Sequence, residues 1–339
     1  MKNITGICFS AVPVNLLGRL TGQKIILPFY HAVSDYPLPH LRHLYTIRTS
    51  KQFIDDLDFF LKHYRPVSHS ELHSFVLGHD KPGKPLMVLS FDDGLREVNE
   101  VIAPILIKKG IPACIYINSA FTGNQALFFK YKASLIIDRL KSLGHPSSLY
   151  EIINSRMGTS IRSKSAMIKK ILGINYQEQA ILDSIAELLE IDFNAFLKIR
   201  KPYLTVDQLK ELQSKGFEIG SHSVDHPLYS GLSLDEQLMQ TRNSIKWIIE
   251  TFNTGYRFFS FPFIDDGVKA EFFNAIFRED PLKVNMSFGS SGLKREQFSF
   301  HMQRIPMEKS RLGAFYYIKG EYAYYILKSL AGRGVVKRR

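Results

Sequence analysis

Two rhythms of apolar and polar positions run along this chain. Short runs of strand length and character recur at Ile25 to Tyr30, Leu86 to Leu89, Ala113 to Ile117, Phe217 to Ile219, Tyr256 to Pro262, Val284 to Phe288 and about Met302 to Ile305. Helical spacing fills the intervals. Phe53, Leu57, Phe60 and Leu61 form one apolar face opposite Lys51, Asp55, Asp58 and Lys62, which predicts an amphipathic helix from Ser50. A second helix is expected from beyond Gly94 to Lys109, with Lys108 and Lys109 in its last turn and Gly110 as its stop. Thr205 to Gln208 and Ser233 to Glu236 read as capping boxes, opening helices that run to Lys215 and to about Phe252. Pro82, Gly83 and Pro85 mark a loop before the strand at Leu86. Strand, helix, strand in this order implies parallel pairing through right-handed crossovers, hence an α/β fold.

Residues 125–202 break that rhythm. Leu135, Ile136, Leu140, Ile152, Ile168, Ile171, Leu172, Ile181, Ile185, Leu188 and Leu189 recur at helical spacing with no strand between them, so a helical insertion is expected. It carries Arg156, Arg162, Lys164, Lys169 and Lys170, a cationic patch for an anionic substrate or lipid, or simply a solvated face. At the start, residues 1–23 hold a modest apolar stretch interrupted by Pro13 and Asn15, without the unbroken core and small-residue site of a secretory signal. No run of about 18 apolar residues suggests a membrane-spanning helix, so a cytoplasmic or membrane-peripheral location is the expectation. Residues 311–339 interleave Phe315, Tyr316, Tyr317, Tyr322, Tyr324 and Tyr325 with Lys319, Lys328, Arg333, Lys337, Arg338 and Arg339. That mixture suits peripheral contact with a bilayer interface, and equally a helix that closes the fold with a basic end. The expected organisation is therefore an N-terminal segment 1–23, a principal domain 24–310 containing the insertion, and a tail 311–339.

With 339 residues and 45% hydrophobic content, the chain has ample material for a packed core. Its net charge of +12 favours an anionic partner such as a membrane surface, an acidic polysaccharide or nucleic acid, or else a merely basic surface. No recognisable nucleic-acid module accompanies the charge, so nucleic acid is not an expected partner. Cys8 and Cys114 are too few for a disulfide framework, and no CxxC metal spacing occurs.

Chemistry concentrates where strands end. Leu89-Ser90-Phe91-Asp92-Asp93-Gly94 places two carboxylates side by side at a strand terminus, where a turn at Gly94 can bring both into one pocket. Two anions held that close repel unless one is protonated or a cation lies between them, and a metal ion is the economical solution. His222 and His226, four residues apart, follow another strand end, a spacing that puts two imidazoles on one face of a helical turn or of a bent loop. His31 follows the first strand. Every polar cluster thus lies beyond a strand's carboxyl end, the position at which a parallel α/β barrel builds its active site.

These segments resemble the NodB-homology polysaccharide deacetylases, carbohydrate esterase family 4, from about Lys24 to Pro306. Ser90 to Gly94 is similar to the first family motif and His222 to His226 to the second. Phe29-Tyr30-His31-Ala32-Val33 and Phe259-Ser260-Phe261-Pro262-Phe263 resemble the subgroup that deacetylates poly-N-acetylglucosamine. The resemblance implies an irregular (β/α) barrel that removes N-acetyl groups from an amino-sugar glycan, polymeric or lipid-linked, and releases acetate. It implies Asp93, His222 and His226 as ligands of one divalent metal, zinc or else cobalt, nickel or manganese, and the two imidazoles and one carboxylate suit such an ion. It further implies Asp92 as the general base, with the backbone N–H of Phe263, after Pro262, stabilising the oxyanion. Two family features are missing. Ser260 stands where an Arg usually orients the base, so Arg257 or Arg304 must substitute, with Arg304 preferred on the last strand. The usual Leu-x-His is absent, so His31 or His301 must protonate the leaving amine, with His31 preferred at the barrel mouth. A relative that binds carbohydrate without turnover is the alternative these gaps suggest.

Overall fold

The computed structural model describes residues 2–79, 83–332 and 334–338; Pro82, Arg333 and Arg339 of the sequence reading lie outside them. Eight short strands form the barrel: β1 Pro28–Tyr30, β2 Leu89–Phe91, β3 Ala113–Ile117, β4 Glu218–Ser221, β5 Phe258–Ser260, β6 Met286–Gly289, β7 His301–Gln303 and β8 Ile305–Pro306. Every pairing is parallel, in the order β7-β6-β5-β4-β3-β2-β1-β8. The last strand expected from the sequence is broken at Arg304. Its first half pairs with β6 and its second with β1, so this one segment nearly closes the sheet on itself. Other boundaries move slightly: the run at Leu86 divides at Val88, with Leu86–Met87 joining a small sheet with Ile25–Ile26 and Arg65–Pro66 beside β2.

Alternation explains why the strands read as continuous apolar runs. Phe91, Ile115, Ile117 and Ile219 share a core with the helix Ser50–His63 outside the barrel, while Cys114, Tyr116, Phe258 and Phe288 cluster in a second core together with Leu27 and Val88. Strands covered on both faces need apolar residues at successive positions. Gly94 is required at the first motif: its φ is +62°, and a Cβ there would lie 2.7 Å from Ile117 Cγ2. The expected capping boxes form at Thr205 and Ser233 and open the helices Val206–Ser214 and Leu234–Phe252. The helix after Gly94 begins with a wide turn, Val98–Ile102, because Pro104 cannot donate to the regular ladder, and continues as Ala103–Lys109 to a left-handed Gly110.

Between β3 and β4 five helices, from Phe129–Ser142 to Phe193–Arg200, build a core of their own that includes Leu38, Leu41 and Leu95 from neighbouring loops. The tail is principally a helix, Ala314–Leu330, which packs on Lys2–Cys8, Val14–Thr21 and Ser50–His63. Tyr317, Ile318, Tyr322 and Tyr325 belong to the main core, whereas Phe315, Tyr316 and Leu330 of the same helix are exposed. Among the described residues, no helix is long and apolar enough to cross a membrane.

Candidate active site

At the carboxyl end of β2 the backbone turns left-handed, Asp93 at φ 69° and Gly94 at 62°, and this turn sends both carboxylates of the motif inward. His222 follows β4, its N–H donating to Ile117 O at 2.9 Å. His226 lies on the loop beyond, not on a helical turn, because Ser223 (φ 67°) and His226 (φ 64°) bend the chain back on itself. Non-glycine residues in this region cost about 1–3 kcal/mol each and persist only where surrounding contacts over-determine them. Here Ser223 Oγ accepts the His226 N–H, and the Asn118 side chain donates to the His222 carbonyl.

Asp93, His222 and His226 converge. His222 Nε2 lies 3.5 Å and His226 Nε2 3.4 Å from Asp93 Oδ1. His222 Nδ1 is 2.8 Å from the Ser260 carbonyl, which fixes the proton on that nitrogen and turns the lone pair of Nε2 toward the carboxylate. Burial lowers the His222 pKa to about 4, so the ring is neutral. Burial also opposes ionisation of Asp93, but the imidazoles of His226, His31 and His222 outweigh it and hold the carboxyl below its usual range. Asp93 Oδ1 and His226 Nδ1 have no hydrogen-bond partner among the described residues. Donor atoms aimed at one another in a buried site, with no internal cation between them, fit a divalent ion.

Asp92 is 2% exposed and lines the cavity beside this triad. Arg304 grips it in fork geometry, Nη1 to Oδ1 and Nη2 to Oδ2, both at 2.7 Å. The guanidinium also donates to Ser90 Oγ, Ser260 Oγ and the Gly289 carbonyl, and it stacks over Phe29 with its carbon 4.2 Å from the ring centroid. Burial alone would raise the Asp92 pKa; Arg304 and His222 reverse this and keep it below the ordinary carboxylate value. Arg257 instead precedes β5, at the far end of that strand. The serine in the third motif thus accepts from an arginine supplied by the last strand.

His31 follows β1 and lines the same cavity, about 490 Å³, which Phe263, Ile264 and Ser290 wall on the opposite side. Its Nδ1 makes a short ion pair with Glu308, whose other oxygen accepts the backbone N–H groups of His31 and Ala32 at 3.0 and 3.1 Å. Tyr45 stacks on the imidazole at 3.9 Å between centroids. Burial pulls the His31 pKa down, but Glu308, with help from Asp93 and Asp92, drives it up to about 9. His301 lies elsewhere: it begins β7, is 2% exposed and contacts Asp265 and Ser287. Pro262 is buried within the loop, and Phe263 sits against His226 with centroids 4.6 Å apart and φ 55°.

Three neighbours were not anticipated. Tyr131, from the insertion, donates its hydroxyl to Asp93 Oδ2 at 2.5 Å. Phe128 packs on His226 at 4.3 Å. Glu308 lies two residues beyond β8, so the strand-end rule that singled out His31 would also have reached it.

The sequence profile of the polysaccharide deacetylases matches residues 79–271, more than half of the chain. The chain belongs to the polysaccharide deacetylase family. Its barrel is similar to that of other deacetylases. The Streptococcus pyogenes deacetylase PplD in complex with acetate aligns with a TM-score of 0.54 at 15% identity, over 88% of this chain and 97% of that one. IcaB from Ammonifex degensii gives 0.53 at 14% identity, over 88% and 96%. A de-N-acetylase from Aggregatibacter actinomycetemcomitans gives 0.51 at 14%, over 88% and 99%. No curated protein sequence matches the chain.

Proposed function

We propose that this polysaccharide deacetylase hydrolyses the N-acetyl groups of an amino-sugar glycan with the help of one divalent metal ion held by Asp93, His222 and His226. The reading is carried by one observation: two imidazoles and a carboxylate face each other at 3.4 and 3.5 Å in a buried site where, among the described residues, no cationic side chain lies between them, next to a carboxylate clamped by arginine. When bound, the ion supplies Lewis-acid polarisation of the acetyl carbonyl and lowers the pKa of water.

The side chains supply the rest. Asp92, kept ionised by Arg304, is the acceptor for the proton of the attacking water, and its fork-to-fork pairing fixes the direction of its remaining lone pairs. Oxygen adds to the acetyl carbon, and the Phe263 N–H is the donor offered to the oxygen that gains charge. His31, protonated through its pairing with Glu308, gives a proton to the sugar nitrogen as the C–N bond breaks. Acetate and a free amine result. Arg304 and the His31–Glu308 pair supply the two groups whose absence from the usual motifs suggested a binding protein without turnover, which favours the hydrolytic reading. The similar structures of a deacetylase in complex with acetate and of a de-N-acetylase agree with this substrate bond.

Acetate release from N-acetylglucosamine oligomers tests the proposal. Chelation should abolish release and one equivalent of zinc, cobalt, nickel or manganese should restore it. Asp92→Asn should lower kcat by about 10²–10⁴-fold while leaving metal content at one per chain. Turnover that survives complete metal removal refutes the reading.

A further inference from the structure

The loop leaving β5 carries Phe263 to the cavity and, two residues on, points Asp265 the other way, into a buried cluster far from the metal ligands in sequence. Asp265 is 1% exposed. Its Oδ2 accepts from Gln303 Nε2 at 2.6 Å and lies 3.1 Å from His301 Nε2, and Arg338 donates to the same oxygen. Arg338 Nη1 also donates to the Asp265 backbone carbonyl at 2.6 Å. The guanidinium reaches Glu296 as well, Nη2 to Oε1 at 2.9 Å and Nε to Oε2 at 3.3 Å, and packs over Phe273 at 4.7 Å. One side chain from the tail therefore bridges two carboxylates and a carbonyl in a site where it is itself 8% exposed.

The tail is guided there. Val335–Val336 pair in parallel with Arg295–Glu296, and the Arg338 N–H donates to Gln297 Oε1 at 3.1 Å. The rim of the barrel is shaped to receive the loop: a Cβ at Gly289 would sit 2.3 Å from Asp265 Oδ1, so only glycine at the end of β6 leaves room for that carboxylate. Next to it, Ser290 Oγ donates to the Phe263 carbonyl. The loop is thus pinned at Phe263 by Ser290 and at Asp265 by Arg338. Between these pins Phe263 is held at φ 55°, a conformation a phenylalanine does not adopt without outside support.

We propose that Arg338 is a positioning residue for deacetylation: by clamping Asp265 it fixes the backbone of the Phe263 loop, and with it the N–H offered to the acetyl oxygen. The inference rests on the reading of Phe263 as the oxyanion donor. Asp265, Glu296 and His301 would otherwise make a cation site, and the guanidinium is the cation that fills it.

The test compares the full chain with Arg338→Ala, Arg338→Lys and a chain ending at Gly334. Two quantities are measured: kcat and KM for N-acetylglucosamine oligomers in the presence of one metal equivalent, and amide hydrogen exchange of residues 262–267. Arg338→Ala and the shortened chain should lose about tenfold in kcat, part of the roughly 10²–10³-fold that an oxyanion donor supplies, with KM within about twofold. Exchange should quicken at 262–267 and stay unchanged at β2 and β3. Arg338→Lys should recover only part of the loss, because an ammonium cannot bond the carboxylate and the carbonyl as a planar fork does. Wild-type kcat together with wild-type exchange at 262–267 overturns the proposal, and so does faster exchange spread evenly over the barrel. If no form of the protein releases acetate, the exchange measurement still decides whether the clamp exists, and the failure then belongs to the hydrolytic reading.

Discussion

Two clusters of the same residue types meet opposite treatment in this molecule. Asp93, His222 and His226 at the barrel mouth, and Asp265, Glu296 and His301 behind its rim, each bring ligand atoms within 4.8 Å of one another. Behind the rim, Arg338 threads a guanidinium between the carboxylates. At the mouth Arg304 is spent on Asp92, and Asp93 is left facing two imidazoles with one oxygen unpartnered among the described residues. Residue type alone therefore does not make a metal site. What separates the two is whether an arginine is paired with the clustered carboxylates.

The sharpest way to break this contrast is to neutralise one carboxylate in each cluster and measure denaturant stability in the presence of a chelator. Asp265→Asn removes one half of a buried ion pair and should cost about 3–5 kcal/mol. Asp93→Asn removes a charge with no guanidinium paired to it, held only by neighbouring imidazoles, and should cost less than Asp265→Asn in the metal-free protein. Equal losses at the two positions would erase the distinction.

A smaller effect is expected from Tyr131→Phe. The hydroxyl fixes the orientation of Asp93 through its second oxygen, and groups of this kind commonly govern metal affinity by about 10–100-fold. Zinc titration by calorimetry should show that weakening, with little change in the melting temperature of the metal-free protein. An unchanged affinity would mean that the insertion covers the site without tuning it.

A third perturbation, read through its pH dependence, is Glu308→Gln. The His31 pKa is raised from 6.5 to about 9 in the fold, so the pair's contribution is complete below about pH 6.5 and fades as pH rises through about 9. The stability difference between the chelated parent and the variant should follow that course between pH 6 and 10. A difference independent of pH would show that Glu308 does not set the charge on His31.

Much of the site was legible because its groups obey one rule, that chemistry sits just past a parallel strand. Asp92, Asp93, His222, His226, His31 and Arg304 all satisfy it, and Arg304 could be preferred over Arg257 by asking which end of a strand each occupies. Glu308 satisfies it too, two residues past Ile305–Pro306, but a lone glutamate there belongs to no motif that would mark it. Tyr131 was invisible for a different reason. It lies in the helix Phe129–Ser142, where more than half of the positions are buried, so a tyrosine aimed at Asp93 reads like any other core aromatic. Arg338 looked like one more cation of a basic tail, since partners 73 residues away leave no local trace. The tail aromatics divided in a way composition could not foresee: Tyr317, Tyr322 and Tyr325 face inward on a helix whose Phe315 and Leu330 face water.

The break in the last strand at Arg304 bears on how the enzyme comes into being. The guanidinium that neutralises Asp92 arrives 212 positions after it in the chain. During synthesis both recognisable motifs leave the ribosome while the barrel is still open and Asp92 has no counter-charge to be buried with. Charge balance at Asp92 and closure of the barrel are completed by the same few residues, so a polypeptide that stops short of residue 304 would display the family's signature yet lack the means to fold it into a working site.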